Sequence, residues 1–141
     1  MALVVDSGGV YALYDKRDRH HASVAHIVKR EKEPLHVPSP LLGEIGYMLS
    51  EWLGSNAVLQ FLDDIENGAF QVQPFLNDDL SRCRQILKDY SDLNLGLCDA
   101  SVVATAERLG IHRILTVDER HFRVIRPSGR KPYTLLPADL R

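Results

Sequence analysis

The sequence predicts a single α/β domain in which a parallel β-sheet is flanked by helices. Two observations support this prediction. Short, continuous apolar runs rich in β-branched residues are typical of strands buried on both faces of a parallel sheet, and segments with helical periodicity separate these runs along the chain. Strands that alternate with helices favour a parallel sheet with right-handed crossovers. The length of 141 residues fits one domain, residues 1–141.

Four apolar runs and one weaker segment are the predicted strands. The first spans residues 2–5 and ends at Asp6, which is followed by Ser7 and two glycines. The others are residues 35–37, 70–72, 114–117 and, as an edge strand, 133–136. Proline and glycine interrupt the sequence from about residue 127 onward, so we expect this edge strand to lie in a loosely held tail.

Five segments have the apolar spacing of helices. They are residues 20–30, 41–53, 56–66, 78–90 and 99–109. Ser39 is the expected N-cap of the second helix, with Pro40 at its first helical position. Gly110 directly follows the fifth helix and is a typical C-terminal stop.

Composition narrows the function classes. The 19 acidic residues outnumber the 17 Lys and Arg residues, and the formal charge of −2 gives no global positive field of the kind that attracts nucleic acids or anionic membranes. No apolar run approaches the roughly 18 residues of a membrane span. Cys83 and Cys98 form no CxxC pair, and no secretion signal is recognisable. We therefore expect free thiols and a cytoplasmic location.

Two acidic residues directly follow predicted strands. Asp6 comes after the first strand, and Asp118 comes after the fourth. In open parallel sheets, ligands bind beyond the carboxyl ends of the strands, so both residues are candidates for a functional site. For each residue alone, a helix N-cap or a turn is the alternative interpretation.

Two further acids lie on predicted helices. Glu44 falls at the edge of the apolar face of its helix, between Gly43 and Gly46, and each glycine costs about 1 kcal/mol relative to alanine. A ligand that approaches this helix closely would account for the glycines, and a glutamate that merely reaches solvent is the alternative. Asp99 begins a helix of small residues, where capping is the alternative.

Together these four acids indicate a metal-dependent site. If the sheet brings them to one edge, their like charges raise each other's pKa values and destabilise the fold unless a cation neutralises them. Carboxylate oxygens suit a hard ion such as Mg²⁺ or Mn²⁺. Such sites promote phosphoryl chemistry, in which an activated water displaces a leaving group in line.

At these positions the sequence resembles the PIN-domain ribonucleases in four ordered motifs. The motifs are Asp6-Ser7 after a strand, Glu44 within Leu41-Leu42-Gly43-Glu44-Ile45, Cys98-Asp99-Ala100 at the start of a helix, and Thr116-Val117-Asp118 with Phe122. No single motif is specific, but the ordered set spans about residues 3–125. Gly8 departs from the pattern, since many relatives carry a polar residue there. The resemblance implies a single PIN-like domain.

The chain also resembles the VapC-type toxins of toxin–antitoxin pairs in length. This resemblance implies a Mg²⁺-dependent endoribonuclease that is inhibited by a small cognate antitoxin and is usually a homodimer. By position, Asp6 and Asp99 would be the main metal ligands. Glu44 and Asp118 would complete the acidic site through water or a second ion. The hydroxyl groups of Ser7 and Thr116 would orient a carboxylate or a water molecule.

A basic segment follows the fourth motif, with five Lys or Arg residues and no acid between Arg120 and Lys131. Arg120, Arg123 and Arg126 are candidates to bind RNA phosphates, and a solvated basic edge is the alternative. Without the four proposed site acids the remaining charges are slightly basic, so the net charge does not exclude RNA. The main alternative to an enzyme is a PIN-like domain without catalysis that binds a partner protein.

Overall fold

In the computed structural model, which describes residues 2–127 and 131–140, the strands form one sheet in which every neighbouring pair is parallel. The order across the sheet is β3-β2-β1-β4-β5. The strands are β1 (Val4–Val5), β2 (Leu35–Pro38), β3 (Phe70–Gln73), β4 (Arg113–Leu115) and β5 (Thr134–Leu136). The predicted fold class is confirmed, and all five predicted strands are present.

Seven helices connect these strands in the described part of the chain. They are α1 (Ser7–Tyr14), α2 (His21–Arg30), α3 (Leu41–Leu53), α4 (Ser55–Glu66), α5 (Asn77–Asp89), α6 (Leu97–Leu109) and α7 (Glu119–Val124). The five predicted helices correspond to α2–α6. The short helices α1 and α7 are additions to the prediction, and Gly110 ends α6 in a left-handed conformation, as expected.

The prediction that Ser39 caps α3 is wrong. Pro40 directly precedes the helix and occupies the cap position, and no side chain makes a capping hydrogen bond there. Ser39 is thereby displaced one residue outward, and it is the carbonyl oxygen of Ser39 that accepts the N–H of Leu42, at 3.1 Å. The predicted start of α6 also shifts, because the helix begins at Leu97 and Asp99 is its third residue.

Close packing accounts for the two glycines in the first turn of α1, a helix that the sequence analysis did not predict. A Cβ atom on Gly9 would lie 2.6 Å from the carbonyl oxygen of Leu115, and one on Gly8 would lie 2.9 Å from the Val117 side chain. The glycines therefore let the first turn of α1 pack directly against the end of β4. The same geometry brings Asp6, which precedes α1, close to that strand.

The C-terminal segment is held against the core rather than loose over the residues described. Tyr133 and Leu135 are buried, and Asp139 accepts the N–H of Leu135 at 2.7 Å. Residues 128–130 and 141, which the predicted tail includes, lie outside the described residues. No described helix combines the length and the apolar character needed to cross a membrane.

The strand order places a crevice in the middle of the sheet. From β1 the chain moves to β2 and β3 on one side, and it then returns to β4 and β5 on the other. Connections therefore diverge at the carboxyl ends of β1 and β4, and in open α/β sheets ligands bind at such a switch point. Asp6 follows β1 here, and Thr116 follows β4.

Candidate active site

Asp6 is the most buried carboxylate at this crevice. It is the N-cap of α1, and its Oδ1 accepts the N–H of Ser7 at 2.8 Å. Its Oδ2 accepts a hydrogen bond from the Thr116 hydroxyl at 3.0 Å. Only 7% of the residue is exposed, so two donors on two elements fix a carboxylate that has little contact with water.

The pKa of Asp6 is raised to about 6, chiefly by burial. The hydrogen bonds from Thr116 and Ser7 oppose this shift, while the negative charges of Asp99 and Glu44 add to it. Three of the four predicted acids therefore interact electrostatically. Asp6, directly after β1, therefore lies within electrostatic range of Glu44 on α3 and Asp99 on α6.

Asp99 lies in the first turn of α6. Its Oδ2 accepts the N–H of Gly96 at 3.3 Å, so the capping interaction expected as an alternative is present. The same oxygen lies 3.4 Å from Nδ1 of His121. The carboxylate is about three-quarters buried, and it therefore retains an accessible surface at the site.

Glu44 reaches the site from the exposed side of α3, near the N-terminal end of the helix. The Cys98 thiol lies beside it and also lies 3.9 Å from the carbonyl oxygen of Pro40. Burial raises the pKa of Cys98 to about 11, with further contributions from Glu44 and the neighbouring aspartates. This shift disfavours the thiolate, which is the nucleophilic form of cysteine.

Asp118 stands at the border of the site. It is the N-cap of α7, where its Oδ1 accepts the backbone N–H of Arg120 at 3.2 Å and pairs with the Arg120 side chain at 3.4 Å. Its charge is not among those that shift the pKa of Asp6. Its connection to the site is the N–H that it donates to the Thr116 hydroxyl, at 3.1 Å. A role in metal binding stays a prediction for this residue.

The three candidate RNA-binding arginines differ in how far their side chains are held by contacts within the protein. The Arg120 side chain is 84% exposed. Arg123 pairs with both Glu119 and Asp139, at 2.8 and 2.6 Å. Arg126 donates to the carbonyl oxygen of Arg123 at 2.6 Å, at the end of α7. The structure thus uses Arg123 and Arg126 to fix α7, and phosphate binding by any of the three stays a prediction.

Comparison with known proteins identifies the family. The sequence model of the PIN domain family matches residues 3–126 of this chain. The chain belongs to the PIN-domain family. A curated relative, Ribonuclease VapC26 of Mycobacterium tuberculosis, is 27% identical over 135 residues, which cover 96% of this chain and 100% of the relative.

Solved structures share the fold of this PIN domain at low sequence identity. VapC20 of Mycobacterium tuberculosis, described as a sarcin-ricin loop cleaving toxin, superimposes with a TM-score of 0.78 and 18% identity over 84% of this chain and 92% of that one. A toxin–antitoxin complex from Klebsiella pneumoniae superimposes with a TM-score of 0.70 and 17% identity, over 95% of this chain and 99% of that one. At these identities the likeness establishes the fold.

The donor groups of this PIN site are suited to a hard divalent cation. The side chains of Asp6, Glu44 and Asp99 offer carboxylate oxygens, and the buried Ser7 hydroxyl beside them has no hydrogen-bond partner. Within residues 2–127 and 131–140, no three Asp, Glu, His or Cys side chains stand close enough together to hold a metal ion as they are now arranged.

Sequence reasoning missed two residues at the site, His121 and Cys98. Cys98 was noted as a free thiol and as part of the third motif but was given no role, although its position directly before Asp99 is a signal that it lies nearby. His121 lies within the fourth motif, three residues after the Asp118 cap. Its position one helical turn beyond that cap could have indicated the contact had α7 been predicted.

Proposed function

We propose that this PIN-domain protein is a Mg²⁺-dependent endoribonuclease that acts as the toxin of a toxin–antitoxin pair. The observation that carries the proposal is the coupling of Asp6, Glu44 and Asp99 at the switch point of the sheet. The name of the relative Ribonuclease VapC26 supports ribonuclease activity. Two structural neighbours, one a cleaving toxin and the other a toxin–antitoxin complex, support the biological role.

In this proposal Asp6 and Asp99 are the main ligands of Mg²⁺, for which Mn²⁺ can substitute. Glu44 and Asp118 complete the acidic site through water or a second ion. When bound, the ion supplies Lewis acidity and lowers the pKa of a bound water molecule. The carboxylate-rich composition of the site and the raised pKa of Asp6 are what favour a cation there.

The residues of the chain itself orient the groups around that centre. Thr116 fixes one oxygen of Asp6, and the Ser7 N–H fixes the other. The unpartnered Ser7 hydroxyl is available to orient a water molecule or a carboxylate. Arg120 extends into solvent beside Asp118, and we expect it to bind a phosphate of the RNA strand. Hydrolysis then adds water across one phosphodiester bond and separates two RNA fragments.

The proposed partners are a small antitoxin and a second copy of the chain. Tyr47 and Trp52 on α3 and Leu59 on α4 are more than half exposed, and aromatic residues are enriched at protein interfaces. These helices therefore offer an apolar surface for either partner. We place the protein in the cytoplasm, where both its RNA substrate and an antitoxin are found.

The activity is tested by cleavage of labelled RNA with purified protein. We expect cleavage with Mg²⁺ or Mn²⁺, and we expect its loss with EDTA or in Asp99→Asn. Asp63→Asn is the matched control, because Asp63 is exposed on α4 and away from the site. Full activity of Asp99→Asn would contradict the assignment. If the folded protein cleaves no RNA either with or without divalent metal, the alternative of a non-catalytic, partner-binding domain is favoured.

The toxin role needs a separate experiment in cells. Expression of the protein in a bacterium should arrest growth, and Asp99→Asn should not. Co-expression of a small protein encoded beside it should restore growth and co-purify with it. Growth arrest that persists in Asp99→Asn would show that toxicity does not come from RNA cleavage.

A further inference from the structure

A histidine outside the four predicted acids contacts the site. His121 is the third residue of α7, and its Nδ1 lies 3.4 Å from Oδ2 of Asp99. The side chains are only 21% and 26% exposed, respectively. The two groups therefore meet inside the crevice rather than on the open surface, where such a pair would contribute little.

The helix that carries His121 is anchored at both ends and in its middle. Asp118 caps its first turn. Phe122 is almost completely buried, and Arg123 pairs with Glu119 of the same helix and with Asp139 near the C-terminus. A side chain on so constrained an element has a defined position, which is what the orientation of a functional group requires.

The contacts around Asp99 distinguish its two carboxylate oxygens. Oδ2 receives the N–H of Gly96 at 3.3 Å and faces Nδ1 of His121. In the part of the chain that the structure describes, Oδ1 takes part in no hydrogen bond. The N-cap residue of α6 thus donates a hydrogen bond to Oδ2, Nδ1 of His121 on α7 contacts the same oxygen, and Oδ1 stays available.

We propose that His121 is a positioning residue that holds Oδ2 of Asp99 so that Oδ1 is presented to the divalent cation. The inference rests on the proposed metal-dependent function, and it adds a residue that the four acidic motifs do not include. Partners that hydrogen-bond a metal-ligating group typically change metal affinity by about 10- to 100-fold when they are removed. The fourth motif would then serve the site through His121 as well as through Thr116 and Asp118.

Substitutions at position 121 can separate this role from simple packing. Asparagine places its amide nitrogen close to where Nδ1 of histidine lies, whereas glutamine reaches the position of Nε2. His121→Asn therefore keeps a donor facing Asp99, and His121→Gln and His121→Ala do not. His26→Ala is the matched control, because His26 is exposed on α2.

The readout is binding of Mn²⁺ to the full-length protein, followed by electron paramagnetic resonance of the free ion. We expect His121→Ala and His121→Gln to raise the Kd for Mn²⁺ by about tenfold or more, and we expect His121→Asn to stay within about threefold of the unaltered protein. His26→Ala should not change the Kd. Melting temperatures recorded without metal show whether each variant is folded, and if His121→Ala does not fold, the Asn and Gln pair decides.

Three results would overturn the inference. They are an unchanged or lower Kd in His121→Ala, equal weakening in the Asn and Gln variants, and no Mn²⁺ binding by the unaltered protein. RNA cleavage is measured in parallel. Binding of Mn²⁺ that depends on His121 without any RNA cleavage would refute the proposed ribonuclease and leave this inference intact. RNA cleavage together with an Mn²⁺ affinity that does not depend on residue 121 would refute this inference and leave the proposed ribonuclease intact.

Discussion

The Thr116 hydroxyl donates a hydrogen bond of 3.0 Å to Oδ2 of Asp6, across 110 residues of sequence. The bond joins the ends of β1 and β4, which are neighbours in the sheet. It also opposes the effect of burial on the pKa of Asp6. Thr116 therefore favours the ionised form of a carboxylate that its surroundings would otherwise keep neutral.

Replacing Thr116 by valine should impair catalysis while preserving side-chain shape. Valine cannot donate to Asp6, so the pKa of Asp6 should rise further and cleavage of RNA at saturating Mg²⁺ should fall by about 10- to 100-fold. Thr116→Ser is the control, since it keeps the hydroxyl and should retain most of the activity. Equal activity of the valine and serine variants would contradict an orienting role for this hydroxyl.

Asp6→Asn should stabilise the protein at neutral pH when no divalent metal is present. The folded-state pKa of about 6 lies above the ordinary value of 3.8, so ionisation of Asp6 costs free energy in the folded state. A shift of this size corresponds to at most about 3 kcal/mol. Chemical denaturation in EDTA at pH 7.5 measures the gain, and Asp63→Asn should show none. A lower stability of Asp6→Asn would mean that the ionised carboxylate mainly serves as a cap of α1.

The same pKa shift predicts how that gain depends on pH. Below about pH 4, Asp6 is protonated in both the folded and the unfolded state, so the stability that its raised pKa confers is fully present. That stability is lost as the pH rises through about 6. The difference between Asp6→Asn and the unaltered protein should therefore be small at pH 4, should grow between pH 4 and 6, and should level off above it. A stability difference that does not change with pH would show that the gain does not come from the raised pKa of Asp6.

Two glycines should respond in opposite directions to alanine. Gly9→Ala places a Cβ atom 2.6 Å from the Leu115 carbonyl oxygen, so α1 must move and the free energy of unfolding should fall by about 1–3 kcal/mol. Gly46→Ala meets no atom within 4 Å inside α3, and it should gain about 0.5–1 kcal/mol. Urea denaturation of both variants measures the contrast. A destabilised Gly46→Ala would contradict the open space seen beside this helix.

Arg120 and Arg123 should separate RNA binding from stability. Arg123→Ala removes the ion pairs to Glu119 and Asp139, and because the arginine is partly exposed we expect a loss of only about 1 kcal/mol. Arg120→Ala should leave stability unchanged but raise the KM for RNA and reduce its salt dependence. Titration of RNA at several salt concentrations checks this. An unchanged salt dependence in Arg120→Ala would remove this residue from the RNA-binding surface.

The sequence was informative wherever local pattern decides structure. The apolar run before Asp6 and the one before Thr116 are sufficient to place both residues at strand ends. The rule for parallel sheets then brings them to one edge. The helix around Asp99 was recognised from its small residues, although its start depends on Gly96 and lies two residues earlier than predicted.

Features that depend on tertiary packing were not predictable in this way. Helix α1 was not predicted, because nothing local shows that Gly8 and Gly9 let the backbone of β4 come within contact of this segment. The six residues of α7 are too few to show a helical period. The contact of His121 with Asp99 follows from how α7 is anchored, and it was missed for that reason.

The position of β1 has a consequence for the chain while it is being synthesised. β1 is made first, yet it lies between β2 and β4 in the finished sheet, so it completes its pairing only after residues 113–115 have left the ribosome. A nascent chain that ends before this point carries Asp6, Glu44 and Asp99 but lacks the strand and the hydroxyl that fix Asp6. In the proposed ribonuclease, the hydrogen bond that fixes Asp6 can therefore form only after Thr116 has left the ribosome, late in synthesis.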